Sequence, residues 1–367
     1  MIPISDPKSQ LDTIQDELLK ELKDVLKSGQ YILGSRVSDL ERTIAKRLGT
    51  AEAIGVGNGT DALILTLNAY GIGKGDEVIT TPFTFFATAE AITRVGATPV
   101  FADVDQRTFN IDPSKIEDKI TDVTKAILPV HLFGQPAAMG EINQIAKKHH
   151  LYVIEDACQA FGATYKGNQA GALGDAACFS FFPTKNLPTI GDGGMITTSD
   201  PKLAKRIRSL RAHGSYKKYH HNEIGYNSRL DEIHAAVIAT CLNYIDQWND
   251  HRRHLASRYD DALREIPFIR RPYRDLDSTH VYHLYCVESD QRDEFRNALT
   301  KQNISTGVYY PRCLHLQKAY EHLGYKLGDF PIAESLSEKL FALPLYPGLL
   351  LEEQDYIIER IKRQVSE

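Results

Sequence analysis

The 367-residue chain has no apolar run long enough to cross a bilayer. The longest, such as Ala126 to Val130, fall far short of the ~18 residues a span requires. No basic stretch followed by an apolar one precedes Asp6, so no export signal is expected. The five cysteines are odd in number and contain neither a CxxC nor a metal-ligand spacing, which argues against a disulfide framework or a zinc site. A reducing, cytoplasmic compartment is the expectation. Positive charge is not in excess either: Lys+Arg 43 against Asp+Glu 48 gives a net charge of −5. That offers no general electrostatic reason to bind nucleic acid or an anionic membrane. Repeats and low-complexity segments are missing. What is present is an ordinary globular composition, 42% hydrophobic and 25% charged, at a length that implies about two domains.

From Gln10 to Leu26, apolar Leu11, Ile14, Leu18, Leu22 and Val25 recur at helical spacing, and Ser28-Gly29 supplies a stop. This predicts one amphipathic helix, followed by a second from Val37 to Leu48. Short apolar runs then alternate with helical segments. Ala53 to Val56, Glu77 to Ile79, Thr98 to Phe101, Ala126 to Val130, Tyr152 to Ile154, Ala177 to Ser180 and Met195 to Thr197 read as strands. Asp61 to Tyr70, Phe86 to Val95 and Met139 to His149 read as helices. Strands separated by helices need crossovers, hence an α/β fold with a mostly parallel sheet flanked by helices. After Ala212 the alternation stops. A polar, aromatic stretch from His213 to Arg229 leads into long helical periodicity from Asp231 to Leu263. Strands at Val281 to Val287 and Ser305 to Tyr309, with helices at Asp293 to Lys301 and Glu352 to Val365, predict a smaller α+β domain. The division is expected near residue 250, giving 1–250 and 251–367.

Three segments could carry chemistry. Gly55-Val-Gly-Asn-Gly-Thr60 follows a predicted strand and opens a predicted helix, where free N–H groups and the dipole favour a phosphate. A dinucleotide fingerprint would want a third glycine where Thr60 stands and an acid closing the next strand, whereas Glu77 opens it. A plain glycine turn capped by Thr60 is the bland alternative. Asp156 lies directly after the strand Leu151 to Ile154, at the strand end where α/β ligands bind; a capping role is the competing reading. Lys185, in Phe179-Ser-Phe-Phe-Pro-Thr-Lys-Asn186, sits just past a strand behind aromatics. Desolvation there would lower its pKa toward nucleophilic use and Schiff-base formation with an aldehyde. An anion cup at Gly59-Thr60, a strand-end carboxylate and a strand-end lysine together match the needs of pyridoxal phosphate.

At this point the sequence resembles the DegT/DnrJ/EryC1/StrS family of sugar aminotransferases, which have the fold-type I aspartate aminotransferase architecture. The likeness runs nearly end to end through Tyr31-Ile-Leu-Gly34, Asn58-Gly-Thr-Asp-Ala62, Gly75-Asp-Glu-Val78, Gly96-Ala97, Glu155-Asp156, Ser180 to Asn186, Gly191 to Gly194 and Gly225-Tyr-Asn-Ser-Arg-Leu-Asp231. The resemblance implies a pyridoxal 5'-phosphate enzyme passing through pyridoxamine 5'-phosphate, with Lys185 as the Schiff-base lysine and Asp156 on the ring nitrogen. It also implies Gln159 on the ring-hydroxyl side, Phe85 stacked on the ring, and Gly59, Thr60 and Ser180 on the phosphate. Asn227 would reach that phosphate from the neighbouring subunit of a homodimer. The implied substrates are a nucleotide-linked keto-deoxysugar and L-glutamate.

Some positions depart from the family pattern. Phe161 stands where His is frequent, Phe182 where Tyr is frequent, and Leu187-Pro-Thr-Ile190 replaces a Leu-Gly-Ala-aromatic run, so an unusual sugar pocket is expected beside the lysine. Asp192 resembles members that aminate C-3 rather than C-4. Tyr216, Tyr219 and His220 fall in a loop where the family meets nucleotide-sugar, and Tyr309-Tyr-Pro-Arg312 and His315 are further candidates for the same cleft. His149-His150 and His220-His221 are adjacent pairs that point apart, so no metal site is expected. Lys205, Arg206, Arg208, Arg211, Lys217 and Lys218 read as a solvated helix face and loop. Rival readings are an amino-cyclitol or amino-shikimate aminotransferase, a sugar dehydratase of the same fold, which tends to carry His in place of Lys185, and a regulatory or DNA-binding protein. The last would show salt-dependent DNA binding.

Overall fold

The computed structural model describes residues 1–366. Seven strands form the main sheet, in the spatial order Glu52–Val56, Gly194–Thr198, Ala176–Ser180, Tyr152–Asp156, Thr124–Ile127, Glu77–Thr80 and Thr98–Phe101. Gly194–Thr198 runs antiparallel to both its neighbours. The remaining pairings are parallel. Successive strand residues point to opposite faces. Ala177 and Phe179 therefore join one core with Leu40, Ile44 and Trp248, while Ala176 and Cys178 join another with Leu63, Ile92 and Ile207. The helix Gly59–Ala69 is apolar on nearly every side, as befits an element buried along most of its length.

Several elements differ from the expectation in instructive ways. The first helix is two, Pro7–Asp12 and Gln15–Ser28, because the Ile14 N–H bonds back only three residues, to the Leu11 carbonyl at 3.1 Å. The long periodicity after Asp231 likewise breaks into Glu232–Leu242 and Ile245–Ala262. There Asn243 and Tyr244 donate to the carbonyls of Thr240 and Cys241, tightening one turn. No strand forms over 305–309; only Gly307 pairs, with Ala342. The run from Val281 becomes a strand only at Tyr285, since Tyr282 has φ +44°. Thr124–Ile127 stops early because Pro129 has no N–H to continue the ladder. The Pro129 carbonyl instead accepts the Asp156 N–H at 2.9 Å and the Asp156 carbonyl accepts the His131 N–H at 3.0 Å, fixing the end of the adjacent strand.

The strand pair Tyr285–Glu288 and Leu340–Leu343, with the helices Arg292–Lys301 and Leu351–Ser366, surrounds a separate core. The helix Ile245–Ala262 contributes Ile245 and Trp248 to the core behind the lysine strand, and Leu255, Ala256 and Tyr259 to this second one. Ile2 also packs into the second core and pairs with Ile304. No helix among the described residues is long and apolar enough to cross a membrane. No group of three or more His, Cys, Asp or Glu side chains among them could hold a metal ion.

The arginines of the basic run are not a solvated face. Arg211 is buried, donating to Glu41 at 2.6 Å and to the Gly55 carbonyl at 2.6 Å, while Glu41 accepts the Gly55 N–H at 2.8 Å. Arg208 reaches Glu52 at 2.8 Å and Arg206 reaches Glu223 at 3.2 Å. The buried pair thus clamps both sides of Gly55, where the glycine-rich turn begins. Glu41→Ala leaves the Arg211 charge uncompensated and should destabilise the protein by about 3 kcal/mol. A lowered denaturant midpoint checks this; an unchanged midpoint would show that water replaces the carboxylate without penalty.

Candidate active site

The glycine-rich turn ends with Asn58 capping the helix Gly59–Ala69, its Oδ1 accepting the Asp61 N–H at 2.8 Å. The N–H groups of Gly59 and Thr60 lie in the first turn and have no intrahelical acceptor. A Cβ on Gly59 would lie 2.8 Å from Ser180 Cβ and 3.0 Å from Cys158 Sγ, and one on Gly194 would lie 2.4 Å from the Asn58 carbonyl oxygen. Glycine at both places lets the helix start approach the ends of two strands. Ser228 ties the turn further, accepting the Gly57 N–H at 3.0 Å and donating to Asp61 at 2.6 Å.

Asp156 closes its strand 6% exposed. Its Oδ2 accepts the Thr88 hydroxyl at 2.8 Å and its Oδ1 the Cys158 N–H at 3.2 Å. Glu155 points to the other face and is fully buried. It accepts the N–H groups of Gly171, Leu173 and Gly174 at 2.7, 2.7 and 2.8 Å, and lies 2.9 Å from His131 Nε2. The Ala137 N–H donates to His131 Nδ1 at 3.1 Å, which leaves the ring proton on Nε2 to meet the carboxylate. A carboxylate with four donors needs no cation, and this one anchors the loop behind the strand end.

Lys185 stands in a tight turn in which its own N–H reaches the Phe182 carbonyl at 2.8 Å. Burial pushes its ammonium group down; Cys158 and Asp156 oppose that. The Cys158 thiol is itself pushed well up by burial and stays neutral, so Asp156 is the operative anion. The following residue is locked. Asn186 donates to Asn249 at 2.8 Å and to the Val281 carbonyl at 2.9 Å, and Asn249 donates to the Phe161 carbonyl at 3.1 Å. Gln159 accepts the Phe133 N–H at 2.8 Å, which directs its amide group toward the Tyr310 hydroxyl at 3.2 Å.

These groups face one cleft of about 810 Å³. Gly59, Thr60, Phe85, Asp156, Gln159, Ser180, Phe182, Lys185, Asp192 and Tyr309 all line it. Phe85 is 57% exposed there, its ring 6.2 Å from that of Tyr310. Other positions singled out from sequence are not brought in. His315 is buried against Phe330, 3.0 Å from Glu334, because its segment packs into the core under the sheet edge rather than onto the cleft. Tyr216, Tyr219 and His220 lie on an exposed hairpin, Ser215–Lys217 paired with His220–His221, outside this chain's cleft lining. Asn227 is exposed and outside it as well. Phe161, one of the departures from the family pattern, belongs with Leu187 to the core behind the lysine strand, its ring 5.4 Å from Phe179, so it does not shape the cleft. Residues not foreseen include Thr88, Asn249, Arg252 and His283. Thr88 and Asp156 are 68 residues apart, and Arg252 lies in a helix so polar that it reads as solvated.

The model of the DegT/DnrJ/EryC1/StrS aminotransferase family matches residues 12–362. The chain belongs to that family. It is 47% identical over 363 residues, 99% of each chain, to the dTDP-3-amino-3,6-dideoxy-alpha-D-galactopyranose transaminase of Aneurinibacillus thermoaerophilus. A protein of Geobacillus stearothermophilus named as a pleiotropic regulatory protein is 48% identical, covering 98% of this chain and 97% of that one. Among solved structures, S. venezuelae DesV in complex with a ketimine intermediate superposes with a TM-score of 0.98 at 40% identity, over 100% of this chain and 99% of that one. The enzyme is a pyridoxal-phosphate-dependent aminotransferase of fold type I. The cleft fits that cofactor. Helix-start N–H groups and the Thr60 and Ser180 hydroxyls suit a phosphate, the space over Gly59 admits no side chain, and a carboxylate and a lysine stand at neighbouring strand ends.

Proposed function

We propose that this aminotransferase converts a nucleotide-linked keto-deoxyhexose, with its ketone at C-3, into the amino sugar, taking nitrogen from L-glutamate. One observation carries the reading: a phosphate cup, Asp156 and Lys185 converge on a single cleft roomy enough for a sugar beside the cofactor. Asp192 at the cleft wall and the 3-amino product named for the Aneurinibacillus relative support C-3. Five free cysteines suit a reducing cytoplasm. Trp248 and Leu255 packing into different cores support a domain division near residue 250.

Bound pyridoxal phosphate supplies an aldehyde for the amino group and a pyridinium ring that accepts an electron pair. The chain's own residues do the rest. Gly59, Thr60 and Ser180 hold the phosphate, Phe85 covers the ring, and Gln159 offers an amide N–H to the ring hydroxyl. Asp156, oriented by Thr88, holds the ring-nitrogen proton. Lys185 would take the donor Cα proton as base and, as acid, deliver it to C4′ of the bound cofactor, and in the second half carry a proton from C4′ to the sugar carbon. Holoenzyme given L-glutamate and a panel of dTDP- and UDP-linked keto sugars should release 2-oxoglutarate in step with a 3-amino sugar. Consumption of 4-keto sugars alone would overturn the C-3 assignment.

Asn227 completes the phosphate cup of the opposite subunit in a two-fold dimer, in keeping with its exposure outside its own cleft lining. Lys185→Ala subunits mixed with Asn227→Glu subunits should then regain about a quarter of wild-type sites, since one site of each heterodimer is intact. No regained activity after verified subunit exchange would place Asn227 within its own chain's function, or outside function altogether.

A further inference from the structure

Among the described residues two arginines line the cleft, and one of them has its charge balanced. Arg94 pairs with Glu90 at 2.8 Å. Arg252 is 3% exposed and has no carboxylate partner among the described residues. Its hydrogen bonds all leave from Nη1, to the carbonyls of Tyr282, His283 and Leu345 at 3.1, 3.4 and 3.0 Å. Nε is buried without a partner. The Nε/Nη2 edge, the one that receives a carboxylate side-on, therefore has no acceptor among the described residues.

Burial lowers the guanidinium only to about 10, so it stays charged at neutral pH. A buried, unpaired cation is strongly disfavoured, and its presence calls for an anion from outside the chain. Its neighbour His283 cannot be that anion. Burial, and then the charges of Lys185 and Arg252, hold the imidazole well below its ordinary value and neutral, and its Nδ1 is also buried and unpartnered. Lys185, His283 and Arg252 all line the cleft, and Asn186 and Arg252 donate to the adjacent carbonyls of Val281 and Tyr282, at 2.9 and 3.1 Å, which sets Arg252 at the lysine's end. Arg252 also follows Asn249 by one helical turn, and Asn249 fixes Asn186 beside the lysine.

We propose that Arg252 holds the α-carboxylate of the amino donor, with His283 as a neutral hydrogen-bonding neighbour. The α-carboxylate is one bond from the carbon whose proton Lys185 moves, so an anion site at the lysine's end of the cleft suits it. This inference rests on the aminotransferase reading above, but not on glutamate, because every α-amino acid carries the group.

The test follows the two half-reactions separately in holoenzyme, by the spectral change of the cofactor in single turnover. In Arg252→Gln the apparent Kd for the amino donor should rise about 100-fold, while that for the nucleotide sugar moves less than about threefold. Arg252→Lys should fall on the same side, since a compact ammonium cannot present the side-on edge. Equal weakening of both halves would mean that Arg252 only ties three carbonyls together, and an unchanged donor Kd would also overturn the proposal. Should neither variant fold, the wild type decides: donor α-amides that bind as tightly as the acids sink the assignment. A weakening of about 100-fold with the amide upholds the carboxylate site. If no amino acid reacts at all, the amino-donor reading itself fails, an outcome visible before any variant is made.

Discussion

Lys185→Ala lowers turnover roughly ten-thousandfold while leaving a folded protein that still takes up its cofactor. The expectation comes from the position of the lysine. Burial favours its free amine, and the turn through Phe182 and the Asn186–Asn249 lock hold the chain at one place in the cleft wall. No other lysine among the described residues lines the cleft to move the proton instead. His283 is close, but burial holds its imidazole well below its ordinary value, which makes it a poor base. Phosphate and ring contacts survive the change, which keeps cofactor affinity. The complementary result concerns the wild type: borohydride should fix the cofactor covalently to the peptide containing Lys185. An adduct on another lysine, or turnover within tenfold of wild type in the alanine variant, would remove Lys185 from this role.

Asp156→Asn costs roughly a thousandfold in both half-reactions, with the fold intact. The amide is nearly isosteric: its oxygen can keep the Cys158 N–H, and its NH2 can donate to the Thr88 hydroxyl, which accepts as well as donates. Packing is therefore preserved, and what is lost is the negative charge that keeps a proton on the ring nitrogen. Thr88→Val should cost less, because it removes the group that aims the carboxylate and leaves the charge. The pair of variants separates electrostatics from geometry. Near-native rates in Asp156→Asn with normal cofactor content would show that the ring needs no anion here.

The α/β alternation, the glycine-rich turn and the two strand-end residues Asp156 and Lys185 are local features, legible in the residues without any knowledge of what packs against them. A strand shows a period of two and a helix one of 3.6 whatever lies across the sheet, and a glycine between strand and helix marks a turn wherever the strand sits. The same local patterns mark Asp156 and Lys185 as strand-end residues, and a likeness spread over many ordered motifs points to the chemistry proposed for them. Strand order is different. Only the placement of Tyr152–Asp156 between Thr124–Ile127 and Ala176–Ser180 brings Asp156, Ser180 and the start of Gly59–Ala69 to one edge. Tertiary packing also buried Phe161 and His315, which the likeness had suggested for the substrate side, and left the tyrosine hairpin outside the cleft. It turned Arg252 inward from a polar helix and set Thr88 on Asp156 across 68 residues. Contacts of that kind depend on which elements become neighbours, and the chain's local periodicities are the same for many orders of neighbours.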